Sequence, residues 1–265
     1  MAPAPQAPRA RRSREELRSL LIDAGRSILD EEGLSIGAGD LTFRRVFAHV
    51  EATTGVRLTN ASVIRRVWQN QEEYQMDVLL AVAASSPAES AVAATSEVLV
   101  PLLGALDLSS PDGRMWSLCE LARVGGEASM RARMETRDWS LWVGVWVLAL
   151  TTDASDDRVR LREALAGGLQ SASDVWEELF TGICAHLGIR VRAPLTLRQY
   201  TGAVSAMVEG SALRQGGDPE LAVVVRPTAR DGGPQEWTLF GICLEALALR
   251  FFEIDPDWVP GTAAA

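Results

Sequence analysis

The sequence predicts an all-α protein. Three observations carry that expectation. Apolar residues recur at three- and four-residue spacing over most of the chain, the period of an amphipathic helix. Residues that cap helices stand just ahead of several of these stretches. No alternation of strands and helices is visible, which argues against a parallel α/β sheet. The 265 residues are 47% hydrophobic and 23% charged, enough apolar matter for a buried core and too much for wholesale disorder. The longest apolar run, Leu141 to Leu150, is interrupted by Gly144 and falls short of the ~20 residues that span a bilayer.

Residues 1–12 are rich in Pro, Ala and Arg and read as a disordered basic arm. Ser13 with Glu16 three residues on forms a capping-box pattern, and Leu17, Leu20, Leu21, Ala24, Ile28 and Leu29 follow at helical spacing. Gly33 closes that helix. Asp40 is read as the cap of a second helix over roughly 41–53, and Thr54-Gly55-Val56-Arg57-Leu58 as a turn. Asn60 caps a short helix over roughly 61–67, which Gln69 and Asn70 break, and Gln71 starts a longer one to about Ala84. Further helices are expected near 88–106, 112–125, 137–151, 156–187, 195–215 and 235–254, with a break in 156–187 near Gly167-Gly168. The β-branched patch from Leu221 to Val225 reads as a loop rather than a strand, and the tail from 256 to 265 as loosely ordered.

Charge and chemistry narrow the classes. Every basic residue is arginine, and the net charge is −9. Residues 1–84 hold eleven arginines and eleven acids, so the excess of acid lies beyond them. Arg9, Arg11, Arg12 and Arg14 meet no acid in the first fourteen residues, and Arg44, Arg45, Arg57, Arg65 and Arg66 face one, Glu51, between 41 and 70. Local basic patches, not the total, decide whether phosphates are approached. Cys119, Cys184 and Cys243 are dispersed and odd in number, and His49 and His186 are the only histidines. That set suits a reducing, cytoplasmic compartment and provides no disulfide framework or metal-ligand spacing. No phosphate-cradling glycine loop or catalytic constellation is found, so no enzyme, metal or cofactor is expected.

The informative segment is 13–84: one long helix, two short ones joined by a turn, then another long one. A helix-turn-helix lays its second short helix in the major groove while the first crosses the backbone. The candidate reading helix is 60–67, with Ala61, Ser62, Arg65 and Arg66 outward and Val63, Ile64 and Val67 inward. In this segment the chain resembles the TetR family of transcription regulators. Ile64-Arg65-Arg66-Val67-Trp68-Gln69-Asn70-Gln71-Glu72-Glu73-Tyr74 corresponds to that family's stretch leading into its fourth helix, with Trp68 at the family's Phe. Arg65, Val67 and Gln71 stand where the family has Tyr, His and a phosphate-binding Lys. Ile28 to Leu34 resembles the end of its first helix, and Thr42 its usual cap of the second.

The resemblance implies a three-helix DNA-binding domain over 13–70 and a larger helical ligand-binding and dimerisation domain over 71–255. It implies a double-stranded, pseudo-palindromic operator as partner, contacted by Arg11, Arg12, Thr42, Arg44, Arg45, Asn60, Ala61, Ser62, Arg65, Arg66, Gln69 and Gln71. It also implies a homodimer through the helices near 195–215 and 235–254. The second of these is apolar on nearly every side, which independently suggests a partner subunit. A small apolar or aromatic effector is expected among the Trp- and Met-rich residues of 110–180: Met115, Trp116, Cys119, Met134, Trp139, Trp142, Trp146 and Trp176. Two other classes remain open: a helical interaction module that has lost DNA binding, suggested by the residues that replace Tyr, His and Lys, and an all-helical enzyme on an apolar substrate.

Overall fold

The computed structural model describes residues 13–34, 38–59, 67–85, 88–151, 155–215, 223–227 and 233–259. Arg11, Arg12 and the stretch from Asn60 to Arg66 lie outside them. Among the described residues the chain is predominantly helical, with nine helices and two small antiparallel two-stranded sheets. None of the helices is long and apolar enough to cross a membrane. The chain divides into two compact units, one of residues 1–85 with 140–166 and one of 86–139 with 167–265.

In the first unit, α1 (Arg14–Glu32) opens with the full capping box: Ser13 Oγ accepts from Glu16 N, and the Glu16 carboxylate accepts from Ser13 N at 2.7 Å. Gly33 ends it at φ +84°, a conformation that favours glycine. The cap of α2 (Phe43–Thr54) is Thr42, not Asp40. The later start puts Leu41 in the core and leaves Phe43, Val46 and Val50 as the buried stripe of the helix. Gly55 terminates α2 in the left-handed region, at φ +68° and ψ 13°. Helix α3 (Gln71–Ala84) is capped by Asn70, whose Oδ1 accepts from Glu73 N at 2.8 Å. Both α2 and α3 pack on α1. Gly25 permits the second approach, because a Cβ there would stand 2.5 Å from the Tyr74 hydroxyl.

The second unit contains α4 (Ala88–Leu103) and α5 (Pro111–Glu135). Helix α6 (Arg137–Thr151) begins in this unit and ends in the first, and α7 (Asp156–Leu187) begins in the first and ends here. After α7 come β1 (Ile189–Val191), α8 (Leu197–Gln215), β2 (Val223–Pro227), β3 (Pro234–Thr238), α9 (Leu239–Phe251) and β4 (Phe252–Ile254). Helix α5 packs against α4 and α9, which explains why it runs ten residues past its expected end at 125. Gly125 and Gly126 do not break it. A Cβ at Gly125 would meet Leu99 of α4 at 3.2 Å, and one at Gly126 would meet the Gly241 Cα of α9 at 3.4 Å. The paired glycines bring neighbours close to both sides of an uninterrupted helix. Gly167-Gly168 likewise leaves α7 continuous.

The strands correct the sequence reading. Residues 223–227 are extended and pair with 234–238, with Val224 opposite Trp237 and Arg226 opposite Gln235. The β-branched run from Val223 to Val225 favours this conformation once a partner strand is present. The last helix therefore starts at Leu239, where Thr238 caps it, rather than near 235. It ends at Phe251, and the next three residues form β4 against β1, with Ile189 opposite Ile254 and Val191 opposite Phe252.

Candidate functional site

In the N-terminal unit a network of directional bonds and ring contacts centres on Asp77 and Tyr74. Val67 and Trp68 are both buried. The Trp68 ring meets the Tyr74 ring edge-on at 4.9 Å, and Tyr74 stacks obliquely on Phe43 at 5.3 Å. Trp68 Nε1 donates to Asp77 Oδ2 at 2.9 Å, and Arg18 donates to the same oxygen at 2.9 Å. Arg160 of α7 lies 3.7 Å from the other oxygen of Asp77. One carboxylate thus ties α1, α3, α7 and the residue that follows the candidate reading helix. Tyr74, fully buried, donates from its hydroxyl to Leu21 O at 2.8 Å, and burial pushes that hydroxyl well above its ordinary ionisation range.

Within this frame the described DNA candidates differ in what they have left to offer. Arg44 is exposed and makes no hydrogen bond or ion pair among the described residues. Arg45 pairs with Glu32. The Thr42 hydroxyl is committed to its cap, accepting from Arg45 N at 3.4 Å. The Gln69 side chain is exposed, while its backbone N–H donates to Glu73 Oε2 at 2.7 Å. Gln71 Oε1 accepts from Phe43 N at 3.3 Å, across to the start of α2. Its amide oxygen does intramolecular work there, and its amide donors remain available to an acceptor.

The second unit contains an internal cavity of about 40 Å³ between α4, α5, α7, α8 and α9. No charged side chain lines it. Small residues on α5, chiefly Ala122, Gly125 and Ser129, open the space, and apolar side chains such as Leu118, Phe180 and Val204 wall it. Its polar groups are few. The Thr95 hydroxyl donates to Ala91 O at 2.7 Å. The hydroxyls of Ser129 and Tyr200, on residues 6% and 2% exposed, make no hydrogen bond among the described residues. Burial, and secondarily the neighbouring Cys184, pushes the Tyr200 hydroxyl far upward, so it stays a protonated donor. Burial likewise pushes the Cys184 thiol up to about 12.

Of the eight residues expected around an effector, Trp176 lines this cavity. Met115 and Trp139 pack on the outside of the surrounding core, and Trp116 and Met134 are exposed. Cys119 faces the buried Glu245 instead, and its thiol is pushed up to about 12 by burial and then by that carboxylate. Glu245 also accepts from Arg226 at 2.8 Å, and the Arg226 guanidinium lies 4.1 Å above the Trp237 ring, so these groups fasten the β2–β3 hairpin to α9. Trp142 and Trp146 meet edge to face at 5.8 Å within the first unit. Sequence reasoning missed Asp77 as a hub and Tyr200 as a cavity donor. For Tyr200 the available signal was rarity, as one of two tyrosines in the chain.

No protein family, curated protein or solved structure matches this chain.

Proposed function

We propose that this protein is a sequence-specific, DNA-binding transcription regulator of the TetR type, a homodimer that releases its operator when a small effector enters the second unit. One observation carries the reading. Helix α2 ends on a left-handed glycine, the turn residue common in helix-turn-helix pairs, and Val67 and Trp68 are buried further along. The segment between holds Arg65 and Arg66, and Arg44 stands exposed at the start of α2. Arginine in such places suits phosphate and guanine edges.

The outer faces of α8 and α9 support the dimer. Leu213 is 58% exposed and Leu239 44% exposed, with Leu249 one helical stripe further along α9. Gly202 and Gly210 on α8 have nothing within 4 Å of a built Cβ. A second copy would cover this face and set two reading helices about one DNA turn apart. Helix α7 supports the coupling, since it contributes Arg160 to the Asp77 cluster and Trp176 and Phe180 to the cavity wall. An effector must bind the DNA-incompetent arrangement more tightly to release the operator.

The Arg45–Glu32 pair and the engaged oxygen of Gln71 favour a second reading, an interaction module without DNA affinity. Duplex from upstream of the gene, titrated at two salt concentrations against random competitor, separates the two. A regulator binds with competitor resistance and a steep salt dependence, because phosphate contacts displace counterions. Arg44→Ala should weaken binding several-fold and reduce the salt slope by about one. Arg65→Ala or Arg66→Ala should cost about 1–3 kcal/mol where the arginine reads a base. No duplex binding at low salt by the folded dimer overturns the proposal in favour of the module.

A further inference from the structure

We infer that the cavity of the second unit accepts a slender, uncharged, apolar molecule carrying one hydrogen-bond acceptor of the carbonyl type, whose oxygen is met by the Tyr200 hydroxyl. The inference deepens the effector reading above and rests on it for its regulatory meaning, though not for the binding itself.

The lining argues for the class. The walls carry no charge and are nearly all hydrocarbon. A carboxylate or an ammonium group would leave water with nothing to compensate it, which excludes ions from the space. The shape argues for slenderness. Roughly three water-sized groups fit in the 40 Å³ that is open, so a longer guest must displace side chains such as Phe180 or Leu179 of α7. The polar groups argue for an acceptor. Thr95 is satisfied by Ala91 O. Tyr200 and Ser129 line the open space, and their hydroxyls make no hydrogen bond among the described residues. Tyr200 sits on α8 beneath Phe180, Phe251 and Phe252, whose rings stand 4.8 to 5.4 Å away and fix its own ring. A held donor in an apolar slot selects a guest that brings an oxygen and penalises one that does not.

The experiment measures binding of four six-carbon probes to the purified full chain by ligand-observed NMR titration, without DNA: 2-hexanone, 1-hexene, hexanoate and hexylammonium. The ketone should bind about tenfold more tightly than the alkene, which is about 1.4 kcal/mol, the scale of one neutral hydrogen bond. Both ions should bind at least tenfold more weakly than the ketone. Tyr200→Phe should bring the ketone down to the alkene and leave the alkene unchanged, a split that a merely structural role would not produce. Cys184→Leu, which fills the slot, should abolish binding of both neutral probes while the melting temperature shows a folded chain. The inference is overturned if the ions bind as well as the ketone, if Tyr200→Phe leaves the ketone unaffected or weakens both neutral probes equally, or if neither neutral probe binds. Loss of duplex binding in the operator titration would leave these results standing, and failure here would leave a regulator with a different effector.

Discussion

The two tyrosines of this chain sit in two regions that treat the same side chain differently. Tyr74 and Tyr200 are both buried, both in helices, both surrounded by aromatic rings, and both held protonated by burial. Tyr74 donates to Leu21 O across the α1–α3 contact. Tyr200 donates to nothing among the described residues and borders a cavity. A hydroxyl that is satisfied within the fold fastens two helices. One that makes no bond within the fold fastens nothing. The first hydroxyl fixes the contact of two helices, and the second borders open space.

That contrast can be broken most severely at Gly25. Its replacement by Ala places a methyl group 2.5 Å from the Tyr74 hydroxyl and 2.8 Å from Val78 Cγ2, forcing α3 away from α1 and disrupting the Leu21 bond. The expected loss is about 2–3 kcal/mol in denaturant unfolding. Gly125→Ala in the second unit, where the nearest atom is the flexible Leu99 Cδ1 at 3.2 Å, should stay within about 1 kcal/mol of the parent, because the better helix propensity of alanine offsets the crowding. Equal losses at both would remove the distinction between the regions.

Next in size is the pair of hydroxyl deletions. Tyr74→Phe removes the bond to Leu21 O, which keeps its helical partner, and should cost about 0.5–1.5 kcal/mol. Tyr200→Phe removes a donor that has no partner and should be neutral or slightly stabilising. Urea midpoints at unchanged slope decide this, and a Tyr200→Phe loss as large as that of Tyr74→Phe would mean that the second hydroxyl is also fastened.

Below pH 9 the thiols leave stability untouched, and their effect is confined to alkaline solution. Cys119 and Cys184 have folded-state thiol values of about 12 against an ordinary 9. Between those limits the unfolded chain releases protons that the folded one keeps, so stability present below pH 9 declines as pH rises toward 12. Melting temperature should be level to about pH 9 and fall above it, with Cys184→Ala making the fall shallower. At pH 8 the exposed Cys243 should react with a thiol reagent well before the other two. Rapid labelling of Cys184 would show that the cavity wall opens to solvent.

The helical class and many helix ends were legible because local chemistry determines them. Ser13 with Glu16, Gly33, and the helix start at Gln71 need no tertiary information. Asp40 and Thr42 both have capping side chains, and only the burial of Leu41 and Phe43 settles which one serves. The pairing of 223–227 with 234–238 was hidden because its cause lies in another segment. Helix α5 was cut short at Gly125-Gly126 because glycine is a helix breaker in isolation, whereas here it admits α4 and α9. The cavity was the least legible feature. Attention to Trp and Met finds bulk, but a cavity is made where bulk is missing, at Ala122, Gly125 and Ser129, residues that in sequence look like ordinary helix filler.

The pairing of β4 with β1 also governs the order in which the protein can be finished as it is made. Phe252 is almost wholly enclosed in the core of the second unit, and Trp258 donates to Ala185 O at 2.8 Å while stacking under Arg114. A ribosome delivers α4, α5, α7 and α8 long before it delivers the residues that close over them. Every residue of the first unit precedes 167, so that unit can assemble while the rest is still being translated. The cavity-bearing unit must wait, with its apolar helices emerged and its last strand unmade.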